Sequence, residues 1–189
     1  PERFEKVNRN IIARVQKELT IKFLTVLFDG ELGFEIGGGR KEEINFLGVN
    51  ITGEPDVLAD TMDLYMFQDN SVSYIYSSHT LEHVKNPRKA IEEWIRILKP
   101  GGIFYCVVPD KHYFLHYNMI PSDSPDYAPS EMAPEELREL INTINKERSD
   151  EKKVKELCWN TKQTDFDFEF MGKIIREEQN NEAGYKYSN

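Results

Sequence analysis

Residues 72 to 108 read VSYIYSSHTLEHVKNPRKAIEEWIRILKPGGIFYCVV. Val72 to Tyr76 and Ile103 to Val108 concentrate β-branched and aromatic residues between polar punctuation, which marks both as strands. Between them, Asn86 is placed to cap a helix and Pro87 suits its first position, while Ala90, Ile91, Trp94, Ile95 and Leu98 form one apolar stripe. Pro100-Gly101-Gly102 stops that helix and turns the chain into the next strand. Strand, helix and strand make a βαβ unit, which requires parallel strands and a right-handed crossover. The chain is therefore expected to be α/β.

Toward the amino terminus, Phe4, Val7, Ile11, Ile12, Val15, Leu19, Phe23, Leu24 and Leu27 recur at mostly three- and four-residue spacings. They predict one or two amphipathic helices over the first 28 residues, ended by Asp29-Gly30. Gly33 to Ile36 reads as a short strand running into Gly37-Gly38-Gly39, Phe46 to Asn50 as a second strand, and Asp56 to Asp60 as a third short element. The Gly39 to Phe46 connection is too short for a crossover helix of about ten residues or more, so the first crossover is abbreviated. Toward the carboxyl terminus, residues 119 to 134 are rich in Pro, Ser and Asp and read as a loop or lid. Pro134 to Asn145 and Ser149 to Trp159 read as two helices. Asp165 to Phe170 alternates acid and phenylalanine, the pattern of a half-buried edge strand. Residues 177 to 189 read as a polar, partly ordered tail.

With 189 residues the chain suits one domain. Its 24 Lys and Arg against 33 Asp and Glu give a net charge of −9, which argues against nonspecific attraction to nucleic acid or anionic lipid. Cys106 and Cys158 make a poor disulfide framework, and no apolar run approaches the roughly 20 residues that cross a bilayer. A reducing, cytoplasmic setting without a membrane span is the expectation. The amino-terminal apolar stripe is free to pack on its own sheet or on a second copy, so a homodimer is one outcome.

Glu35 can point into a crevice at the carboxyl end of a strand, where the glycines let a ligand approach the backbone. A carboxylate there suits a cationic amino group and repels phosphate. Neither phosphate-loop spacing fits Gly37-Gly38-Gly39-Arg40-Lys41-Glu42, although Arg40 and Lys41 could meet an anion, and a plain turn is the competing reading. Asn50 can bond a sugar edge or serve a turn. Asp60 can accept from an exocyclic amine or cap a local turn.

His79, Glu82 and His83 match the His-x-x-Glu-His zinc spacing, which on a helix would bring the two histidines together with Glu82 as base. Pro87 follows soon afterward, and a third protein ligand is not marked by any pattern. Asp110 ends the next strand, so His79 and Asp110 are candidate neighbours that orient or deprotonate a substrate, with His112 and His116 close behind.

Glu35-Ile36-Gly37-Gly38-Gly39, Val57-Leu58-Ala59-Asp60, Ser77-Ser78-His79-Thr80-Leu81-Glu82-His83, Leu98-Lys99-Pro100-Gly101-Gly102 and Val108-Pro109-Asp110 occur in an order that resembles a class I S-adenosylmethionine-dependent methyltransferase. More narrowly, the pattern is similar to the type 11 group and its small glycan-associated relatives, over roughly residues 31 to 112. The resemblance implies a Rossmann-like, mostly parallel sheet and S-adenosylmethionine as cofactor. By position it implies Glu35 at the methionine amino group, Gly37, Gly38 and Gly39 beside the cofactor, and Asn50 near the ribose. Asp60, followed by Thr61 and Met62, falls at the adenine, and Ser78 with His79 at the sulfonium. Asn50 replaces the usual acid after the second strand, Lys41 stands where another glycine is common, and the terminal strand pair is expected to be reduced or missing.

Direct methyl transfer to a small-molecule or saccharide acceptor is the leading expectation, with His79 and Asp110 as candidate bases and no metal required. An inactive cofactor-binding or interaction protein of the same fold is the alternative, and a zinc hydrolase built on His79, Glu82 and His83 comes below both.

Overall fold

The computed structural model describes residues 2–41, 45–112, 132–160 and 167–176. Helix α1 (Glu2–Leu27) precedes β1 (Gly33–Ile36), β2 (Phe46–Asn50), β3 (Val57–Leu58) and β4 (Val72–Ser78). A 3-10 turn (Leu81–His83), α2 (Pro87–Ile97), β5 (Leu98–Pro109), α3 (Pro134–Glu147), β6 (Lys152–Asn160) and β7 (Asp167–Arg176) follow. The seven strands form one sheet in the order β3-β2-β1-β4-β5-β7-β6. Its first five members are mutually parallel, and β7 runs antiparallel to both β5 and β6. This mostly parallel α/β sheet is the fold that the βαβ reading and the methyltransferase resemblance imply.

The βαβ unit forms for the reasons its sequence gives. Asn86 Oδ1 accepts from Lys89 N at 3.1 Å, Pro87 opens the helix, and Ala90, Ile91, Trp94, Ile95 and Ile97 are buried. The helix stops at Ile97, so Leu98 begins β5 instead of ending the stripe, and β5 starts earlier than Ile103. On the face carrying α2 and α3, Phe34, Ile75, Phe104 and Phe170 join the main core. On the opposite face Tyr74, Tyr76 and Tyr105 pack with Leu24 of α1.

Helix α1 is continuous, and its described side chains divide in two. Leu24, with Ile21, packs on the sheet, whereas Val15, Leu19, Phe23 and Leu27 are exposed. No helix among the described residues is long and apolar enough to cross a membrane. Most of the 119–134 loop and the 177–189 tail lie outside the described residues, as does His116.

The carboxyl-terminal part departs from expectation. Residues 152–160 are a strand, not part of a helix, and the terminal strand pair is complete at nine and ten residues instead of reduced. Strand β7 is interior, between β5 and β6, so the acid-and-phenylalanine segment is not an edge. Helix-favouring Lys, Glu and Leu residues invited the wrong reading, and tertiary pairing overrides that weak propensity. Asn145 of α3 supplies what a neighbouring strand would: its Oδ1 accepts from Val154 N at 2.8 Å and its Nδ2 donates to Val154 O at 2.9 Å. Arg138 bonds both Glu156 carboxylate oxygens and lies 4.4 Å from the Trp159 ring centre.

Lys152, buried at the start of β6, donates to the carbonyls of Ile95, Arg96 and Leu98 at 2.8–2.9 Å. It thereby closes the carboxyl end of α2, whose last carbonyls have no partner within the helix. Lys152→Met is expected to lower the unfolding free energy by about 1–3 kcal/mol, the cost of stranding buried carbonyls. Urea denaturation reads this, and an unchanged midpoint would contradict the capping role.

Candidate functional site

The parallel strands β1, β2 and β4 end together, and the chain must leave β1 without covering their ends. It does so at Gly37, where φ is +79° and the N–H donates to Val49 O at 2.8 Å. A Cβ at Gly37 would lie 2.0 Å from Thr80 Oγ1, so glycine is required for both conformation and space. The loop then folds back on β2 so closely that a Cβ on Gly48 would stand 1.8 Å from Gly39 O. Asp56 fastens it, with Oδ2 accepting from Gly48 N at 2.8 Å and Lys41 N at 2.9 Å. The Gly48 N–H holds the Asp56 carboxyl below its ordinary range, helped by Lys41 N–H and the nearby cations.

A cavity of about 350 Å³ opens at these strand ends. Gly37, Asn50, Asp60, Thr61, Met62 and His79 all line it, together with Ile36, Val49, Ala59 and Thr80. Both ends of the Asn50 amide are engaged: Nδ2 donates to Gly37 O at 3.2 Å and Oδ1 accepts from Ile51 N at 2.8 Å. Asp60 is exposed and accepts from Met62 N through Oδ1 at 2.8 Å. Thr61 is held from behind, its hydroxyl accepting from Trp94 Nε1 of α2 at 2.6 Å.

Other predicted residues stand apart from the cavity wall. Glu35 is 2% exposed and ion-paired to Lys17 of α1 and to Lys41. Gly38 and Gly39 form the loop beyond Gly37, and Ser78, whose carbonyl accepts from Thr80 Oγ1 at 3.1 Å, ends β4 beside it. Asp110 accepts from His112 N at 2.9 Å, and His112 pairs with Glu135.

His79 has a left-handed φ of +51° and donates its N–H to Val107 O at 3.0 Å. Its ring lies between two acids, with Nε2 at 3.3 Å from Asp167 Oδ2 and Nδ1 at 3.7 Å from Glu82 Oε1. Burial pulls the His79 pKa down, but the hydrogen bond and charge of Asp167 and the charge of Glu82 outweigh it, and the net shift is upward. Asp167, opposite Pro109 in the β5–β7 register, is therefore the acid beside His79. Sequence reasoning did not single out Asp167, and named Asp110 as the candidate neighbour of His79. The acid face of the alternating segment carried the signal, but an interior β7 was needed to bring that face to His79.

Glu82 is 2% exposed, and neither oxygen has a hydrogen-bond partner among the described residues. Burial pushes its pKa up to about 7, and burial together with the His79 charge lowers that of His83. His79, Glu82 and His83 sit on a strand end and a 3-10 turn, so the α-helical geometry of the zinc reading is not formed. Among the described residues no group of three or more His, Cys, Asp and Glu could hold a metal ion.

Unfolded, Glu82 ionises near its ordinary 4.5, and in the fold near 7. The folded state thus holds the extra proton between those values, and stability present below about pH 4.5 is lost as pH rises through 7. Glu82→Gln stays neutral throughout. The variant is expected to gain on the wild type by on the order of 1–3 kcal/mol between pH 4.5 and 8. Urea denaturation at each pH measures the difference, and a constant difference would contradict the buried, unbonded carboxyl.

Comparison with known proteins agrees with this architecture. Residues 41–106 match the family described as a methyltransferase domain. Phosphoethanolamine N-methyltransferase 2 of Caenorhabditis elegans is 25% identical over 104 residues, which cover 44% of this chain and 24% of that protein. Demethylmenaquinone methyltransferase of Paenarthrobacter aurescens is 36% identical over 78 residues, 41% of this chain and 26% of that one. The chain thus spans about a quarter of the length of these relatives. Among solved structures, Burkholderia thailandensis 1,6-didemethyltoxoflavin-N1-methyltransferase, with bound S-adenosylhomocysteine, superposes with a TM-score of 0.56 at 12% identity. That likeness covers 93% of this chain and 90% of the other, and shows the fold alone. Sheet order, cavity position and the matched segment together give the chain the fold of the class I S-adenosylmethionine-dependent methyltransferases and relate it to their methyltransferase-domain family.

Proposed function

We propose that the chain binds S-adenosylmethionine in the cavity at the ends of β1, β2 and β4 and transfers its methyl group to a small-molecule or saccharide acceptor. The observation that carries this reading is the convergence of Gly37, Asn50, Asp60, Thr61, Met62 and His79 on one cavity. Its volume lies within the ~300–1,000 Å³ typical of small-molecule sites. Ile36, Val49, Ala59 and Met62 offer apolar wall to a flat ring. Asp60 spends one oxygen on Met62 N–H, which leaves the other for an exocyclic amine. The glycine loop lets a ligand approach the backbone where a side chain would obstruct it.

When bound, the cofactor supplies a methyl carbon on a sulfonium sulfur that leaves as a neutral thioether. The protein's part is to align the acceptor and manage its proton. His79 is the group for that proton, with its ring held by Asp167. A homodimer through the exposed face of α1 belongs to the same proposal. One observation favours a second reading, cofactor binding without turnover: Asn50 lacks the negative charge of the usual acid, and its amide is already engaged at both ends.

Asp60→Ala is expected to weaken S-adenosylhomocysteine binding at least tenfold by calorimetry, the worth of about 1.4 kcal/mol in a charge-assisted hydrogen bond. Unchanged affinity would reject the adenine contact. Labelled methyl transfer into a library of saccharides and small metabolites separates the two readings, since tight binding without transfer favours the second. Asp167→Asn is expected to lower the His79 pKa in an NMR titration, because it removes the charge that raises it. An unmoved titration would break the pairing.

A further inference from the structure

Glu82 is not on the cavity wall, yet it stands directly behind two residues that are. Its Oε1 lies 3.7 Å from Nδ1 of His79 and 3.7 Å from Nε2 of His83, and both histidines line the cavity. The carboxyl is 2% exposed, and neither oxygen has a hydrogen-bond partner among the described residues. Left ionised, it would be a buried charge without a bonded partner.

The protons around it are constrained. Asp167 Oδ2 lies 3.3 Å from His79 Nε2, closer than Glu82 lies to Nδ1, which assigns a proton to Nε2. Nδ1 then faces Glu82. Without a further proton, its lone pair would be set against a buried carboxylate, and one proton on either atom removes that repulsion. His79 and Glu82 therefore hold a proton in common and titrate as a unit, in agreement with the upward shift of both groups. Asp167 of β7 favours the proton at both, and Lys17 of α1 opposes it at His79. His83, on the same turn, is held below its ordinary pKa, and the buried Cys106 thiol of β5 feels the Glu82 charge. The buried residues of α2 are apolar.

We propose that the His79–Glu82 pair is a proton reservoir linked to the charge of the cofactor: it gives up its shared proton when the sulfonium of S-adenosylmethionine enters the cavity, and recovers one from the acceptor when the sulfur becomes neutral. This rests on the cavity being an S-adenosylmethionine site, and adds how that site handles charge. The emptied pair is an imidazole beside a carboxylate, and its single negative charge meets the positive charge of the sulfonium. During transfer the acceptor's lone pair forms the bond to the methyl carbon, the electrons of the old carbon–sulfur bond stay on sulfur, and the acceptor's proton passes to the pair. One positive and one negative charge vanish together, while Asp167 and Lys17 keep theirs, so the net charge of the site is constant. The refilled, neutral pair offers the thioether product no attraction, whereas a new sulfonium gains by expelling the proton again. The pair thus separates the two forms of the cofactor according to pH. Below about pH 7 the proton has to be removed, and above it the pair is already empty, so S-adenosylmethionine gains on S-adenosylhomocysteine as pH rises.

Calorimetry on the whole chain at pH 7, in two buffers of different ionisation enthalpy, counts the protons exchanged. S-adenosylmethionine is expected to release on the order of half a proton more than S-adenosylhomocysteine, and its relative affinity to rise about fivefold between pH 6 and pH 8. Glu82→Gln is expected to cut that difference in proton release at least about twofold, with S-adenosylhomocysteine binding kept within about twofold as the report of a folded variant. Difference infrared spectroscopy needs no variant: the wild type is expected to lose a protonated-carboxyl band with S-adenosylmethionine and keep it with S-adenosylhomocysteine. Equal proton release for the two ligands in the wild type would overturn the proposal. So would the full wild-type difference in Glu82→Gln, or a carboxyl band that S-adenosylmethionine leaves in place. If the folded wild type binds neither ligand, the cavity reading itself fails and this proposal with it.

Discussion

The carboxyl end of the sheet depends on how closely the Gly37-Gly38-Gly39 loop can lie on β2. Gly48 gives up its side chain so that the Gly39 carbonyl can sit against it, and Asp56 collects the N–H groups of Gly48 and Lys41 on one oxygen. This contact does the work that a crossover helix would otherwise do after β1. With the loop pinned, Gly37 and Asn50 form one side of a cavity instead of a lid over it. Were the loop raised, the bond from Asn50 to Gly37 would be lost.

Charge is distributed unevenly around this frame. The chain is acidic overall, yet the buried carboxylate behind the glycine loop is flanked by two cations, and the histidine at the end of β4 is flanked by two acids. The second cluster has its own tension, since Glu82 is buried without a hydrogen-bond partner among the described residues and tends to stay protonated. A site with cationic and acidic regions near one apolar cavity is suited to a ligand that is itself polar at both ends and flat in the middle. That match underlies the functional reading.

The sequence was most legible where local and tertiary preferences agree. Asn86, Pro87 and the stripe through Trp94 announce a helix that also has to cover the sheet, and the flanking apolar runs announce strands buried on both faces. Legibility failed where tertiary contacts decide. Nothing local in Lys152 to Asn160 says strand, because its pairing with β7, the amide of Asn145 and the carbonyls received by Lys152 all come from elsewhere. The same limit applies at the site. Asn50, Asp60 and His79 converge because the strand ends were read correctly, whereas Asp167 reaches His79 only through an interior β7. Spacing alone does not pair Lys17 of α1 with Glu35, and only the packing of α1 on the sheet brings the two together.

The central claim is that the cavity between Gly37, Asn50, Asp60 and His79 is built for an adenosyl amino acid. A crystal structure grown with S-adenosylhomocysteine tests it most directly. The account predicts adenine density against Asp60 and Met62, ribose beside Asn50, and the amino-acid end extending past His79 toward Glu35. Well-ordered ligand elsewhere on the protein, or a cavity filled by its own side chains with the ligand absent at saturating concentration, would contradict it.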